Sequence, residues 1–271
     1  MDMDPLLIGL LLAVGAASGF LAGLLGIGGG MLIVPCVAAV LEQRGTAPSL
    51  AIKMAIATSM ATILFTSLSS VRSHHRRGAV RWDLVRRLAP GITAGSLLAG
   101  AGVFAVVRGS VLAGTFGFFV AFAATQMLRE RAVAATQPFP GRLGLSLVGA
   151  AIGFMSGLVG VGGAFISVPF MTRCGVRIHH AVATSSALGF PIALANTVGY
   201  LLAGLALHEA APAALGYLYL PALATIAPAS VLTAPLGART AHALDVRRLR
   251  RAFAVLLYVL SAYMIYRGIH G

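Results

Sequence analysis

Charge is what this chain has least of. Only 10% of its 271 residues are Asp, Glu, Lys or Arg, against about 25% in a typical soluble domain. None of these charges falls in Pro5–Leu41 or in Leu143–Thr172. Uncharged apolar runs of that length read as bilayer-spanning segments and argue against a soluble globular domain. Acids are the scarcer sign, with 7 Asp+Glu against 20 Lys+Arg. Asp2, Asp4, Glu42, Asp83, Glu130, Glu209 and Asp245 all flank the apolar stretches and none enters one. A cation pump or a carboxylate proton relay needs an acid at membrane depth, so the substrate is expected to be an anion. The 2 cysteines, Cys36 and Cys174, lie in apolar contexts without metal or redox spacing and read as small core fillers. The opening Met-Asp-Met-Asp-Pro has no basic n-region, so the first apolar run is expected to be retained.

What the chain does have is apolar surface and glycine: 58% hydrophobic residues, 33 Gly and a mean hydropathy of +0.92. A net charge of +13 would suggest nucleic acid in a soluble protein. Here the basic residues sit in short loops between apolar runs, where the positive-inside rule accounts for them. The expected partner is the lipid bilayer, not nucleic acid. Eight apolar stretches can be drawn, roughly 5–41, 48–71, 84–107, 110–128, 143–172, 179–206, 211–236 and 250–267. The first and fifth exceed one ordinary span and carry a Gly-rich break in the middle.

Those two stretches repeat each other. At an offset of 134, Gly19, Phe20, Gly23, Gly26, Gly28, Gly29 and Pro35 match Gly153, Phe154, Gly157, Gly160, Gly162, Gly163 and Pro169. Ala57-Thr58-Ser59 matches Ala183-Thr184-Ser185 at 126, and Phe116…Met127 matches Phe253…Met264 at 137. Three blocks in one order indicate an internal duplication, the way secondary transporters are built. The halves read as 1–130 and 143–271, joined by a cytoplasmic linker at 131–142.

Charge sets their orientation. If all eight stretches cross, the basic residues divide evenly between the two sides. If stretches one and five turn back as re-entrant hairpins, 16 of the 20 fall on one side and only Arg44, Lys53, Arg108 and Arg267 on the other. The positive-inside rule selects the second arrangement. The expected fold is thus an all-α polytopic membrane protein of two inverted repeats. Each repeat holds a Gly-broken re-entrant helical hairpin plus three transmembrane helices, and both termini lie outside.

Candidate site residues follow from the breaks. Gly26, Gly28, Gly29 and Gly30, with Gly160, Gly162, Gly163 and Ala164, interrupt helices at membrane depth. Broken backbone persists there only inside protein or beside a wet cavity, and a half-helix N-terminus favours an anion. Gly15, Gly19 and Gly23, like Gly149, Gly153 and Gly157, have instead the spacing of helix packing. Thr58 and Ser59, with Thr184, Ser185 and Ser186, offer hydroxyl donors, or else bond back to their own helix. Lys53 aligns with His179, and these two with His180 are candidates for anion attraction or proton handling. His74-His75-Arg76-Arg77 reads as a cytoplasmic anchor, without the neighbours a metal site needs. No cofactor is implied. An enzyme is disfavoured: Ser156 lacks nucleophile-elbow spacing and a positioned acid or base.

The twin motifs around Gly23–Pro35 and Gly157–Pro169, the two Ala-Thr-Ser triplets and Arg77-Gly-Ala-Val-Arg-Trp82 resemble the TauE/SafE sulfite and sulfonate exporters, the 4-toluene sulfonate uptake permease family. The likeness runs over nearly the whole chain. It implies a multi-pass inner-membrane transporter that exports small sulfur-containing anions such as sulfonates, sulfoacetate or sulfite, with proton coupling, by alternating access. Two departures bear on the substrate. Ala164 stands where the first motif has a third glycine, and the first half has eight more residues between its glycines and its hydroxyl pair. An anion channel and a non-transport membrane scaffold are the competing readings, and a homodimer is left open.

Overall fold

Inside a bilayer the backbone must satisfy its own hydrogen bonds, so a chain this apolar has helices as its building unit. The computed structural model describes residues 4–26, 29–128, 137–205, 213–243 and 247–270. Ten helices run through them: α1 (Pro5–Leu25), α2 (Gly30–Gln43), α3 (Pro48–His75), α4 (Trp82–Val106), α5 (Gly109–Leu128), α6 (Arg142–Val159), α7 (Ala164–Arg173), α8 (Ile178–Gly204), α9 (Leu220–Ala243) and α10 (Arg247–His270). Helix α4 loosens into a π-helical turn at Leu98–Val103. Two short strands, β1 (Ala214–Leu215) and β2 (Leu218–Tyr219), pair as a hairpin ahead of α9. Eight helices are long and apolar enough to cross a membrane. The other two, α2 and α7, have 14 and 10 residues and begin at the glycine breaks.

The surface is the inverse of a soluble protein's. Phe118, Leu143 and Leu232 are 74%, 76% and 75% exposed, while Thr58, Ser59, Thr184 and Asn196 are fully buried. Hydrocarbon is the solvent such a surface fits.

Glycine seams hold the long helices in pairs. Gly15, Gly19 and Gly23 of α1 lie in ascending order against Ile226, Ser230 and Ala234 of α9, so these two helices run in the same direction with their backbones touching. A Cβ on Gly15 would stand 2.7 Å from the Ile226 carbonyl oxygen. Likewise Gly149 and Gly153 of α6 ascend along Leu88 and Ile92 of α4. Both ladders have the packing role that their spacing predicts. Helix α3 also runs with α9, Thr58 meeting Tyr219 and Thr66 meeting Ser230. Helix α8 runs with α4, Thr184 meeting Arg81 and Asn196 meeting Gly100. Because α1 and α3 point the same way, α2 must carry the chain back between them, and α7 does the same between α6 and α8.

The bundle has two unlike ends. At one, the α3–α4 and α7–α8 turns come together through Thr184 on Arg81, His180 on the Ala79 carbonyl, and an apolar cluster of Leu84, Met171, Val176 and Ala181. Arg72, Arg76, Arg77 and Arg81 sit there, with Arg173 and Arg177. At the other end Arg44 donates to the Tyr219 hydroxyl, Lys53 to the Ala105 carbonyl, and Arg267 pairs with Glu42.

Candidate functional site

Each break begins with a helix terminated by a left-handed glycine. Gly26 (φ 72°) and Gly160 (φ 73°) adopt the conformation that glycine alone takes without strain, and their N–H groups return to Ala22 and Ser156. The carbonyls left over at such an end need donors. Gly23 receives one from His74 Nε2 at 3.2 Å, and Gly157 receives one from the Tyr200 hydroxyl. His74 and Tyr200 are separated by the same offset of 126 as the two Ala-Thr-Ser triplets, so one solution is built twice with different chemistry. His74 is 1% exposed. The sequence expectation of a cytoplasmic anchor is therefore corrected: His75 is exposed and bonded to Trp82, but His74 belongs to the interior because it caps α1.

The paired threonines are also engaged by backbone. Thr58 Oγ1 donates to Met54 O (2.7 Å) and accepts the Tyr219 N–H (2.9 Å). Thr184 Oγ1 accepts the Arg81 N–H at 3.0 Å. Tyr219 and Arg81 each precede the first residue of a long helix, α9 and α4, so each threonine satisfies the entry of a helix distant in sequence. Ser59 donates to Gly160 O at 2.9 Å, and Ser185 bonds Ser167 at 2.8 Å. The two threonines thus secure helix entries, while Ser59 ties the second break and Ser185 the short helix α7 that follows it.

The two breaks touch. A Cβ on Gly30 would overlap the Gly160 carbonyl oxygen and stand 2.7 Å from Ser59 Oγ, so glycine is required there. Ala164, its counterpart, carries a methyl group and is buried. Gly29 (φ 73°) packs against Ser18, whereas Gly163 has φ −63°. The two glycine motifs are thus unequal where their sequences depart. Gly28 lies outside the described residues.

Beside the contact is a small cavity of about 10 Å³, bordered by Ala22, Gly26, Ile63, Gly162 and Gly189 and by the hydroxyls of Thr66, Ser67, Ser70 and Ser186, of which all but Ser70 donate to carbonyls of their own helices. That is room for about one water molecule. Its polar border is made of hydroxyls, with no ionisable side chain. Gly162 precedes the N-terminus of α7, whose positive end favours an anion at this border. Ser70 Oγ is buried and makes no hydrogen bond. An unmatched buried hydroxyl costs about 1–3 kcal/mol, a cost that an acceptor from a ligand would remove.

Of the residues expected from sequence, Gly26, Gly162 and Ser186 reach this cavity; Thr66, Ser67 and Ser70 were missed. A signal for two of them exists. Ser59, Thr62, Thr66, Ser70 and His74 recur at helical spacing, and all five are buried on α3. Lys53 and His180 go to opposite ends of the bundle, each on a backbone carbonyl. His179 is exposed on the arginine-rich side.

A bundle of long apolar helices around two glycine-broken hairpins with a polar interior defines a multi-pass membrane protein. The family profile described as sulfite exporter TauE/SafE matches residues 11–264. A protein of Haemophilus influenzae called "Probable membrane transporter protein" is 34% identical over 258 residues, covering 94% of this chain and 97% of that one. A "Probable membrane transporter protein" of Methanocaldococcus jannaschii is 25% identical over 261 residues, covering 96% of each. Another of that description from Bacillus subtilis is 26% identical over 280 residues, covering 96% of this chain and 98% of its own. No solved structure matches the chain significantly. The chain belongs to the TauE/SafE sulfite exporter family.

Proposed function

We propose that this protein exports a small sulfur-containing oxyanion, such as sulfite, sulfoacetate or another sulfonate, by alternating access. The observation that carries the reading is the hydroxyl-lined cavity at the meeting point of the two breaks, with Ser70 unmatched and no fixed negative charge. A sulfur oxyanion presents several acceptors around one centre, and neutral O–H and N–H donors bind it without the tight hold of an arginine fork. Release into the second compartment needs that moderation. The halves are taken as residues 1–130 and 143–271, inverted relative to one another. The reciprocal caps of Thr58 and Thr184 and the opposite directions of α3 and α8 support this. The arginine-rich end is assigned to the cytoplasm by the positive-inside rule, with both termini on the far side.

The test is flux into proteoliposomes. Sulfite and sulfoacetate should be carried with saturation and chloride should not, while an imposed pH gradient reports on proton coupling. Flux that rises linearly without saturation makes the protein a channel. Absence of flux for every sulfur oxyanion sinks the reading.

A further inference from the structure

Equivalent positions at the two ends of the bundle hold different residues. Where one end has His74, Ala79 and Arg81, the other has Tyr200, Tyr217 and Tyr219, by the offsets that align the hydroxyl motifs and the helix entries. The aromatic set is completed by Phe104, whose ring centroid lies 4.3 Å from that of Tyr200 and 5.4 Å from that of Tyr217. All four rings are buried. Against them stands Lys53, the only lysine in the chain. Its Nζ donates to Ala105 O at 2.8 Å and lies 5.9 Å from the Tyr217 ring centroid. No carboxylate among the described residues pairs with it.

We propose that Phe104, Tyr200 and Tyr217 form the gate that shuts the substrate path at this end. Lys53 is its bolt, exchanging the Ala105 carbonyl for the transported anion when the gate opens. The inference rests on the anion-transport reading and adds the residues that gate it. Three physical points converge on it. The bolt joins α3 to α4 just beyond the π-helical turn Leu98–Val103, where helix hydrogen bonding is already rearranged, a feature frequent at functional sites. Among the described residues the fastening is one hydrogen bond and one ring face, which can be undone without leaving a described carboxylate unpaired. An ammonium has three N–H donors and this one has a single acceptor among the described residues, so it can receive an oxyanion before it lets go of the carbonyl. The cavity with Ser70, by contrast, lies toward the arginine-rich end, where His74 and Ala79 stand in the places of Tyr200 and Tyr217.

The test uses sided chemical labelling, which needs no knowledge of the substrate. Ser70→Cys is made in a chain whose Cys36 and Cys174 have been replaced by Ser and Ala. It is reconstituted in one orientation and exposed to a membrane-impermeant thiol reagent from either face. With Lys53 present, labelling is expected from the arginine-rich face alone. Lys53→Gln should raise labelling from the opposite face at least tenfold, and Lys53→Arg should not. A folded Lys53→Gln protein with unchanged sidedness overturns the gate. Should that variant fail to insert, Tyr217→Ala is judged by the same criterion. For the capture step, Lys53→Gln should raise the KM of anion entering from the Lys53 face at least tenfold, and from the other face less than threefold. Equal changes from both faces overturn it. If no anion is carried, the transport reading fails by itself and the labelling result still decides the gate.

Discussion

At the scale of single residues, hydroxyls that look alike in sequence do different work. Thr58 has its proton on Met54 O and a lone pair on the Tyr219 N–H, so it stabilises the fold. Thr58→Val should therefore lower stability by about 1–2 kcal/mol, the cost of an unmatched buried amide. The midpoint of thermal unfolding in detergent measures this, and the anion KM should stay unchanged. His74 and Tyr200 present the same donor to equivalent carbonyls. His74→Tyr should accordingly keep Tm within a few degrees. His74→Leu, which leaves the Gly23 carbonyl bare, should lose about 1–3 kcal/mol. Neither cap was legible in the sequence. Spacing puts a polar residue on a helix face, but only the neighbouring helix decides which carbonyl it meets.

At the scale of elements, the glycine breaks and their repetition are the most legible features, because a gap in an apolar helix and a fixed offset both survive in one dimension. The sequence-based boundaries of seven of the eight stretches fall close to the long helices, with stretches one and five each divided into a long and a short arm. The seventh, drawn at 211–236, is corrected to Leu220–Ala243, because the β1–β2 hairpin occupies the start of the apolar run. What the sequence hid is the meeting of the two breaks. Gly30 must be glycine because of Gly160, which lies 130 residues away and adjoins it only after folding. Gly30→Ala forces a methyl group into the Gly160 carbonyl and should cost about 1–3 kcal/mol, as overpacking does. The reverse change at the counterpart, Ala164→Gly, should cost less, since it only removes a methyl group from the N-terminus of a half-helix. Unfolding midpoints of the two variants check the order.

At the scale of the whole molecule, the division of basic residues between the two ends is the basis of the proposed topology. Arg44, Lys53, Arg108 and Arg267 belong to one end, and the arginine-rich turns to the other. A reporter fused after Gly271 should behave as external: alkaline phosphatase active and green fluorescent protein dark. In the proposed anion export, the scarcity of acids and the cavity beside Ser70 concern the cargo. The cavity in this structure is too small for an oxyanion, so export by this route would require the bundle to open toward each side in turn. Trans-stimulation reports on that cycle directly. Proteoliposomes loaded with unlabelled sulfite and given labelled sulfite outside should take up label faster than empty ones, with saturation, and Ser70→Leu should abolish the acceleration in protein that still inserts. Uptake of label indifferent to the internal anion, or undiminished in Ser70→Leu, would contradict alternating access at this cavity.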